Sequence, residues 1–333
     1  MKSTPLTGTE YSDYKNHTTS QTTDSSSCDV TCIFYAVANV IVFILGVAGN
    51  GLVIWIAGFK VKKSVVSIWY LSLAMSDFIF CSFLPFSVVY MVKNEWLFGR
   101  FMCKFTSFIM WLNMFSSIFL LVIISVDRCV TVMFPVWAQN KRTVRKAFVI
   151  VMLAWITAAA FSTPSPVVRD IHIGQKTICQ YNYESMETYQ ADVACRFIFG
   201  FVIPFLVIII CYVVIIQKLR SNHMTKSKKP LKIMTVLIIT FLICWLPYYT
   251  IAWMIIFMPL TRPLYNAFVF SLFLSNVNSC LNPFLYAFMG KDFKKQCYAL
   301  LSKIENAVKE DGLYTIQRTA TTTSGESKHS TSV

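Results

Sequence analysis

Seven apolar runs, at about residues 33–59, 66–92, 101–133, 147–168, 195–217, 231–258 and 264–289, dominate the chain. Each exceeds the roughly 18 residues needed to cross the roughly 30 Å hydrocarbon core of a bilayer as a helix. Lipid offers the backbone no hydrogen-bond partners, so only helices and closed barrels span it, and runs of this length specify helices. The sequence therefore predicts an all-α fold, a seven-transmembrane helix bundle. The chain is 56% hydrophobic and 14% charged, whereas a soluble domain averages about half apolar and about a quarter charged.

The loops assign the sides. Basic residues follow runs one, three, five and seven: Lys60, Lys62 and Lys63; Lys141, Arg142, Arg145 and Lys146; Lys218, Arg220, Lys226, Lys228, Lys229 and Lys232; then Lys291, Lys294 and Lys295. The other loops hold only Lys93, Arg100, Lys104, Arg169, Lys176 and Arg262. The positive-inside rule makes the first set cytoplasmic and the N-terminus extracellular, with the C-terminus cytoplasmic. The net charge of +14 is spread along these loops rather than gathered into a patch, so no nucleic-acid partner is expected.

Four regions follow. Residues 1–31 form an extracellular tail with one glycosylation sequon at Asn16, and no cleavable leader is visible, so the first span would direct insertion. Residues 32–290 are the seven-transmembrane domain. Residues 291–304 alternate charged and apolar residues as a short amphipathic eighth helix at the membrane surface, where Cys297 is a palmitoylation candidate and lipid the partner. Residues 305–333 are Ser/Thr-rich and read as a disordered cytoplasmic tail, whose phosphorylation over Thr319–Ser332 would recruit arrestin.

Several polar residues sit where lipid makes them costly. Asp77 lies mid-span in run two, where a carboxylate needs partners. Asn113 and Ser117, and likewise Asn278 and Asn282, are spaced i, i+4, so each pair shares a helix face. These five oxygen-bearing side chains either hold a small hard cation such as sodium at Asp77 or form a hydrogen-bonded network between helices. Asp127 and Arg128 end run three as a plain ion pair, a snorkelling arginine, or a switch toward a cytoplasmic partner with Tyr212 and Tyr286 at similar depth. Pro204, Pro247 and Pro283 fall inside runs and permit kinks.

At the opposite end, Cys103 and Cys179 both map to the oxidising side, where a bridge would tether the long loop after run four; two free thiols are the alternative. Cys28 and Cys32 pose the same choice. Arg196 either faces the interior, offering its planar fork to an anion, or snorkels to the interface. Tyr90, Trp111, Tyr248, Tyr249 and Phe268 lie at comparable depth and would line an apolar pocket or simply pack. No G-x-S-x-G, H-E-x-x-H or Walker-type motif occurs, so no enzyme is expected and no cofactor beyond an allosteric sodium ion.

These residues resemble the rhodopsin-like (class A) G-protein-coupled receptors over essentially the whole chain. The matching motifs are Gly49-Asn50, Leu73-Ala74-Met75-Ser76-Asp77, Trp96-Leu97-Phe98-Gly99 before Cys103, and Asp127-Arg128-Cys129. Trp155, Pro204 with Tyr212, Cys244-Trp245-Leu246-Pro247 and Asn282-Pro283-Phe284-Leu285-Tyr286 continue them in order. Within that class the chain is similar to the chemoattractant group, the chemerin (chemokine-like) and formyl-peptide receptors. Cys129, Asn113-Met114-Phe115, Pro135-Val136-Trp137-Ala138-Gln139-Asn140 and Gly290-Lys291-Asp292-Phe293-Lys294-Lys295 carry that likeness.

The resemblance implies a plasma-membrane receptor for an extracellular peptide or protein chemoattractant, coupled to an inhibitory Gi-type heterotrimeric G protein, in leukocyte chemotaxis and inflammation. It implies that Arg128 engages the G protein, that Trp245 senses ligand, that Asp77 with Asn113, Ser117, Asn278 and Asn282 forms the sodium site, and that Arg196 takes peptide ligands. Trp111 stands where formyl-peptide receptors carry an aspartate, which favours a chemerin-like carboxylate over formyl-methionine. The alternatives are a formyl-peptide or lipid-mediator receptor of the same group, or a scavenger that binds without signalling.

Overall fold

The computed structural model describes residues 30–221, 228–259, 261–287 and 302, without the side chains of 228–234, 237 and 284–287. Asn16, Cys28, Cys297, the surface helix expected at 291–304, the tail at 305–333 and the Tyr286 side chain lie outside these.

Among the described residues, seven helical segments are long and apolar enough to cross a membrane: Val30–Lys60, Val65–Lys93, Gly99–Met133, Val144–Val168, Met186–Ser221, Ile238–Phe257 and Arg262–Pro283. They are numbered here as the first to seventh spans. Large apolar side chains such as Phe148, Leu153, Ile156, Ile210 and Ile243 point outward from them. On a soluble protein so much exposed apolar surface would drive aggregation; around a bundle it is the face that meets lipid. The chain is a multi-pass membrane protein.

Local chemistry sets the ends of the spans. Ser64 caps the second, its Oγ accepting from the Ser67 amide at 3.1 Å while Ser67 Oγ accepts from the Ser64 amide at 2.8 Å. That helix ends at Asn94, whose φ of 49° lies in the left-handed region that asparagine tolerates. Gly99 at φ 74° opens the third span, and the preceding turn is closed by the Trp96 indole donating to the Gly99 carbonyl at 2.8 Å. Five-residue π-helical turns end the first span at Ile56–Lys60 and interrupt the fifth at Ile198–Val202. The second lies just before Pro204, which has no amide hydrogen to give the helical ladder.

The fifth span begins at Met186, nine residues before the apolar run it was read from. Ser185 caps it through the Thr188 amide at 3.2 Å, with Glu187 in the first turn. Its opening turns are amphipathic, and hydropathy alone takes them for loop. The connection before it is also more ordered than its polarity suggests: β1 (Arg169–Ile173) and β2 (Thr177–Tyr181) pair antiparallel as a hairpin, the sheet accompanying the helices.

The third span is the hub. In its most apolar stretch 67% of residues are buried, against 22% in the first span. Leu73, Met114, Phe115, Ile118, Phe241 and Trp245 belong to the main apolar core around it. Buried amides stitch the outer helices: Asn276 Nδ2 donates to Asn39 Oδ1 at 2.7 Å, and Asn50 Nδ2 donates to the Gly46 and Ser279 carbonyls at 2.9 and 2.8 Å. Such bonds join helices where lipid offers no alternative partner.

Candidate functional site

The Cys103 end of the bundle is roofed by the hairpin. Cys103 and Cys179 form a disulfide with Cα atoms 5.7 Å apart, so of the two readings open from sequence, the bridge holds. Cys32 is also disulfide-bonded. Trp96 packs on the Cys103–Cys179 bridge, and its amide donates to the Thr177 carbonyl at 2.7 Å. Arg100 donates to both oxygens of Asp170, through Nε at 2.8 Å and Nη2 at 2.5 Å, which with the Ile171 amide holds that carboxyl down at about 2.

Beneath the hairpin lies a small cavity of about 40 Å³ between the third, fifth, sixth and seventh spans. Arg196 lines it and is 6% exposed, so it faces the interior and does not snorkel. Its guanidinium carbon stands 3.8 Å from the centre of the Trp111 ring, a cation–π contact at close range. Tyr248 continues the wall, its ring 5.9 Å from both Trp111 and Phe268. Tyr249 is buried beside them; its hydroxyl faces Met114 Sδ at 3.0 Å and the Arg196 carbonyl at 3.2 Å. Thus Arg196, Trp111, Tyr248, Tyr249 and Phe268 meet at one cavity. Tyr90 does not join them: its hydroxyl donates to the Cys179 carbonyl at 3.3 Å and its ring packs on Trp96, buttressing the bridge.

Five cavity residues escaped the sequence reading: the apolar Val193 and Ala252, and three with polar groups. Asp192 accepts from Arg196 Nε at 2.9 Å and lies 2.8 Å from Nη2. Tyr183 donates to the same carboxylate at 2.6 Å, and Tyr189 lines the wall. The i, i+4 spacing of Asp192 and Arg196 is a helical pairing signal, visible once the fifth span is extended to Ser185. Burial, with Asp192 nearby, pushes the Tyr183 phenol up against the weaker pull of Arg196. Tyr181 goes the other way. Burial raises its pKa, but Arg169, 4.4 Å from its ring, and Arg196 outweigh that and bring it to about 7. Its oxygen also accepts from the Trp111 indole at 3.1 Å.

Midway down the bundle the polar residues converge on Asp77. Asn113 Nδ2 donates to Asp77 Oδ1 at 2.9 Å and Asn282 Nδ2 to Oδ2 at 2.7 Å. Ser279 donates to Asn113 Oδ1 at 3.0 Å, while Ser76 accepts from Asn113 at 3.1 Å and bonds Ser116 at 2.5 Å. Ser279, not Asn278, carries the seventh span's second contact, although Asn278 is buried too. Ser117 Oγ is buried with no hydrogen-bond partner. Ser117 lies one helical turn from Asn113, which bonds Asp77, and a buried oxygen with no other bond suits a small hard cation, for which oxygen is the preferred ligand.

At the far end of the third span Asp127 pairs with Arg142, not with its neighbour Arg128. Arg142 Nε and Nη2 reach its two oxygens at 2.6 and 2.8 Å. The short helix Pro135–Lys141 brings Arg142 back to that position. Tyr212 is engaged by Thr235, which donates to its hydroxyl at 3.1 Å. Trp245 lies buried in the main core with its indole N–H unpartnered, two residues before Pro247 in the sixth span. Pro283 sits in the seventh, packed near Gly49.

The sequence pattern of the "7 transmembrane receptor (rhodopsin family)" matches residues 49–286. The chain belongs to the rhodopsin family of G-protein-coupled receptors. Among its relatives it is 42% identical over 308 residues to chemerin-like receptor 1 of Homo sapiens, covering 85% of this chain and 82% of the relative. It is 38% identical over 321 residues to formyl peptide receptor-related sequence 6 of Mus musculus, covering 89% and 93%. Formyl peptide receptor 2 of Mus musculus is 36% identical over 324 residues, covering 90% and 92%. The chain is therefore a chemoattractant-type receptor and not an enzyme, and the family brings with it an extracellular ligand and a G protein as partners.

Proposed function

We propose that this receptor sits in the plasma membrane with its N-terminus outside and binds a chemerin-like peptide or protein, reading a ligand carboxylate with Arg196. The observation that carries this is an arginine turned into a cavity, seated on the Trp111 face, with hydrogen-bond donors left over. Aromatic walls and one planar fork suit a peptide end that brings apolar side chains and a carboxylate. The N-terminal tail contributes Glu10 and Asp13, which would steer a basic ligand.

Ligand binding would shift a two-state bundle toward the G-protein-competent form through its differential affinity for that state. Arg128 would then meet a Gi-type protein, with Asp127, Tyr212, Trp245, Pro247, Asn282, Pro283 and Tyr286 as the moving parts. A sodium ion, where bound, would be held by Asp77 and Ser117 and would favour the arrangement that keeps Asp77 charged. Arrestin would engage the phosphorylated tail.

The test is inhibition of forskolin-raised cyclic AMP in cells expressing the chain, challenged with chemerin C-terminal peptide and with formyl peptides. Chemerin peptide should lower cyclic AMP, and Arg128→Ala and Arg196→Ala should each abolish the response. Binding and internalisation with no second-messenger change would make the protein a scavenger. A response to formyl peptides alone would move the ligand assignment to that branch.

A further inference from the structure

The arginine proposed to read the ligand already has a carboxylate, and how the two are joined decides what remains. Asp192 accepts from Nε of Arg196 at 2.9 Å and lies 2.8 Å from Nη2, so it occupies one edge of the guanidinium side-on. Trp111 covers a face of the same group at 3.8 Å. Tyr183 fixes the acid from behind by donating to Asp192 Oδ2 at 2.6 Å. A guanidinium has five N–H donors. With Nε and one hydrogen of Nη2 taken, the end-on edge formed by Nη1 and the second hydrogen of Nη2 is what a ligand can meet. Asp192 and Arg196 both line the cavity, so an arriving anion feels both charges.

We propose that Asp192 is a built-in counter-charge that sets the ligand selectivity of Arg196. It holds the guanidinium so that only the Nη1–Nη2 edge meets the ligand, and its own charge limits the affinity for any carboxylate that binds there. Coulomb energy falls as the inverse of distance. A ligand carboxylate on the end-on edge lies roughly twice as far from the Asp192 carboxylate as from the guanidinium, so about half of the attraction is cancelled. The cavity is thereby tuned against simple anions. Ligands succeed when aromatic contacts supplement the single ionic bond, or when they place a donor of their own against Asp192. Asp192 is a specificity-determining residue on this account. The inference rests on the carboxylate reading of Arg196 above.

The experiment measures competition binding of chemerin C-terminal peptide in two forms, free acid and C-terminal amide, to the full chain in nanodiscs. Wild type is compared with Asp192→Asn, which keeps the shape and removes the charge, and with Asp192→Ser, which removes the charge in a smaller polar side chain should the asparagine misfold. The readout is the ratio of acid to amide affinity, which a general loosening of the fold would not raise. Both Asp192 variants should raise that ratio by about tenfold, with amide affinity held near wild type, and Arg196→Ala should bring it to about one. An unchanged or lowered ratio in both Asp192 variants, with Arg196→Ala still abolishing it, overturns the counter-charge and leaves the carboxylate reading intact. A ratio that survives Arg196→Ala, or no binding to any of these proteins, overturns both. Acid binding seen only in the Asp192 variants supports the counter-charge.

Discussion

Gly46 offers the sharpest test of how the first and second spans meet. A Cβ added there would collide with Cys81 Sγ and stand 3.0 Å from Cys81 Cβ, with Cys280 Cβ at 3.7 Å behind them. Carbon atoms in ordinary contact lie about 3.5–4.0 Å apart. Rotating Cys81 about its first side-chain bond moves the sulfur but not Cβ, so relief requires the helices to part by several tenths of an ångström. Cys81 is fully buried, so no empty space receives the displaced atoms. Separation would also strain Asn50, which donates to the Gly46 carbonyl and, across to the seventh span, to that of Ser279. Overpacking of this kind costs about 1–3 kcal/mol, or a fall of about 2–12 °C in melting temperature at the about 2–4 °C per kcal/mol of larger domains. The assay is thermal unfolding of the purified receptor followed by a thiol-reactive dye. Gly46→Ala should melt lower. Adding Cys81→Ala, which keeps the Cβ, should restore part of the loss. Adding Cys81→Gly, which removes both offending atoms, should restore more, less about 1 kcal/mol for a glycine inside a helix. Equal melting of Gly46→Ala and wild type would refute the close approach, and failure of either second change to rescue would refute its assignment to Cys81.

Two further outcomes follow from ionic geometry. Arg142→Ala leaves the nearly buried Asp127 carboxylate without its fork and should cost about 1–2 kcal/mol, with faster proteolysis across 134–143; Arg142→Lys should recover only part, since an ammonium cannot reproduce the two parallel bonds, and identical melting of Arg142→Ala and wild type would sink the pairing. Tyr181 should titrate near 7, seen as a rise in tyrosinate absorbance that Tyr181→Phe removes. Its folded pKa lies below the model-peptide value of about 10, so its ionic contribution to stability is complete above pH 10, declines as pH falls toward 7, and is gone below; a stability that rises as pH drops through this window would contradict the sign.

Much of this architecture was legible because lipid makes the rules strict. Seven apolar runs allow few folds, and the mid-span Asp77 had to find partners. The misses have local causes. The fifth span starts with turns that hold Glu187 and Asp192 and precede the apolar run at 195, so an apolar-run criterion discards them even though Ser185 caps a helix there. Without those turns the Asp192–Arg196 pair cannot be seen. Asn278 and Ser279 both fit a face shared with Asn282, one at i, i+4 and the other at i, i+3, and spacing alone does not choose between them. Arg142 reaches Asp127 only because the Pro135–Lys141 helix turns the chain back, and the direction of a turn is not encoded in hydropathy. Tyr90 was grouped with the cavity by depth; depth along the membrane normal does not say which side of a helix a ring occupies.

The third span ties these separate sites into one body. Trp111 seats Arg196, Met114 faces Tyr249, Asn113 reaches Asp77 and Ser279, and Asp127 holds Arg142. Trp111 to Asp127 is about 24 Å of continuous helix at 1.5 Å per residue, so the cavity and the far end share a rigid strut. Coupling between such sites needs an element with two arrangements that both ends bias. The sixth span has the features of one. The Tyr249 hydroxyl carries a single proton between two acceptors, Met114 Sδ and the Arg196 carbonyl, on two different spans. Four residues away, the Trp245 indole N–H is buried without a partner, although buried polar groups in folded proteins are nearly always bonded. Ser117 Oγ, on the face of the third span that also carries Asn113, is in the same condition. On the carboxylate reading proposed above, a ligand that draws on Arg196 would act on the backbone carbonyl to which Tyr249 donates, and so on the helix that carries Trp245.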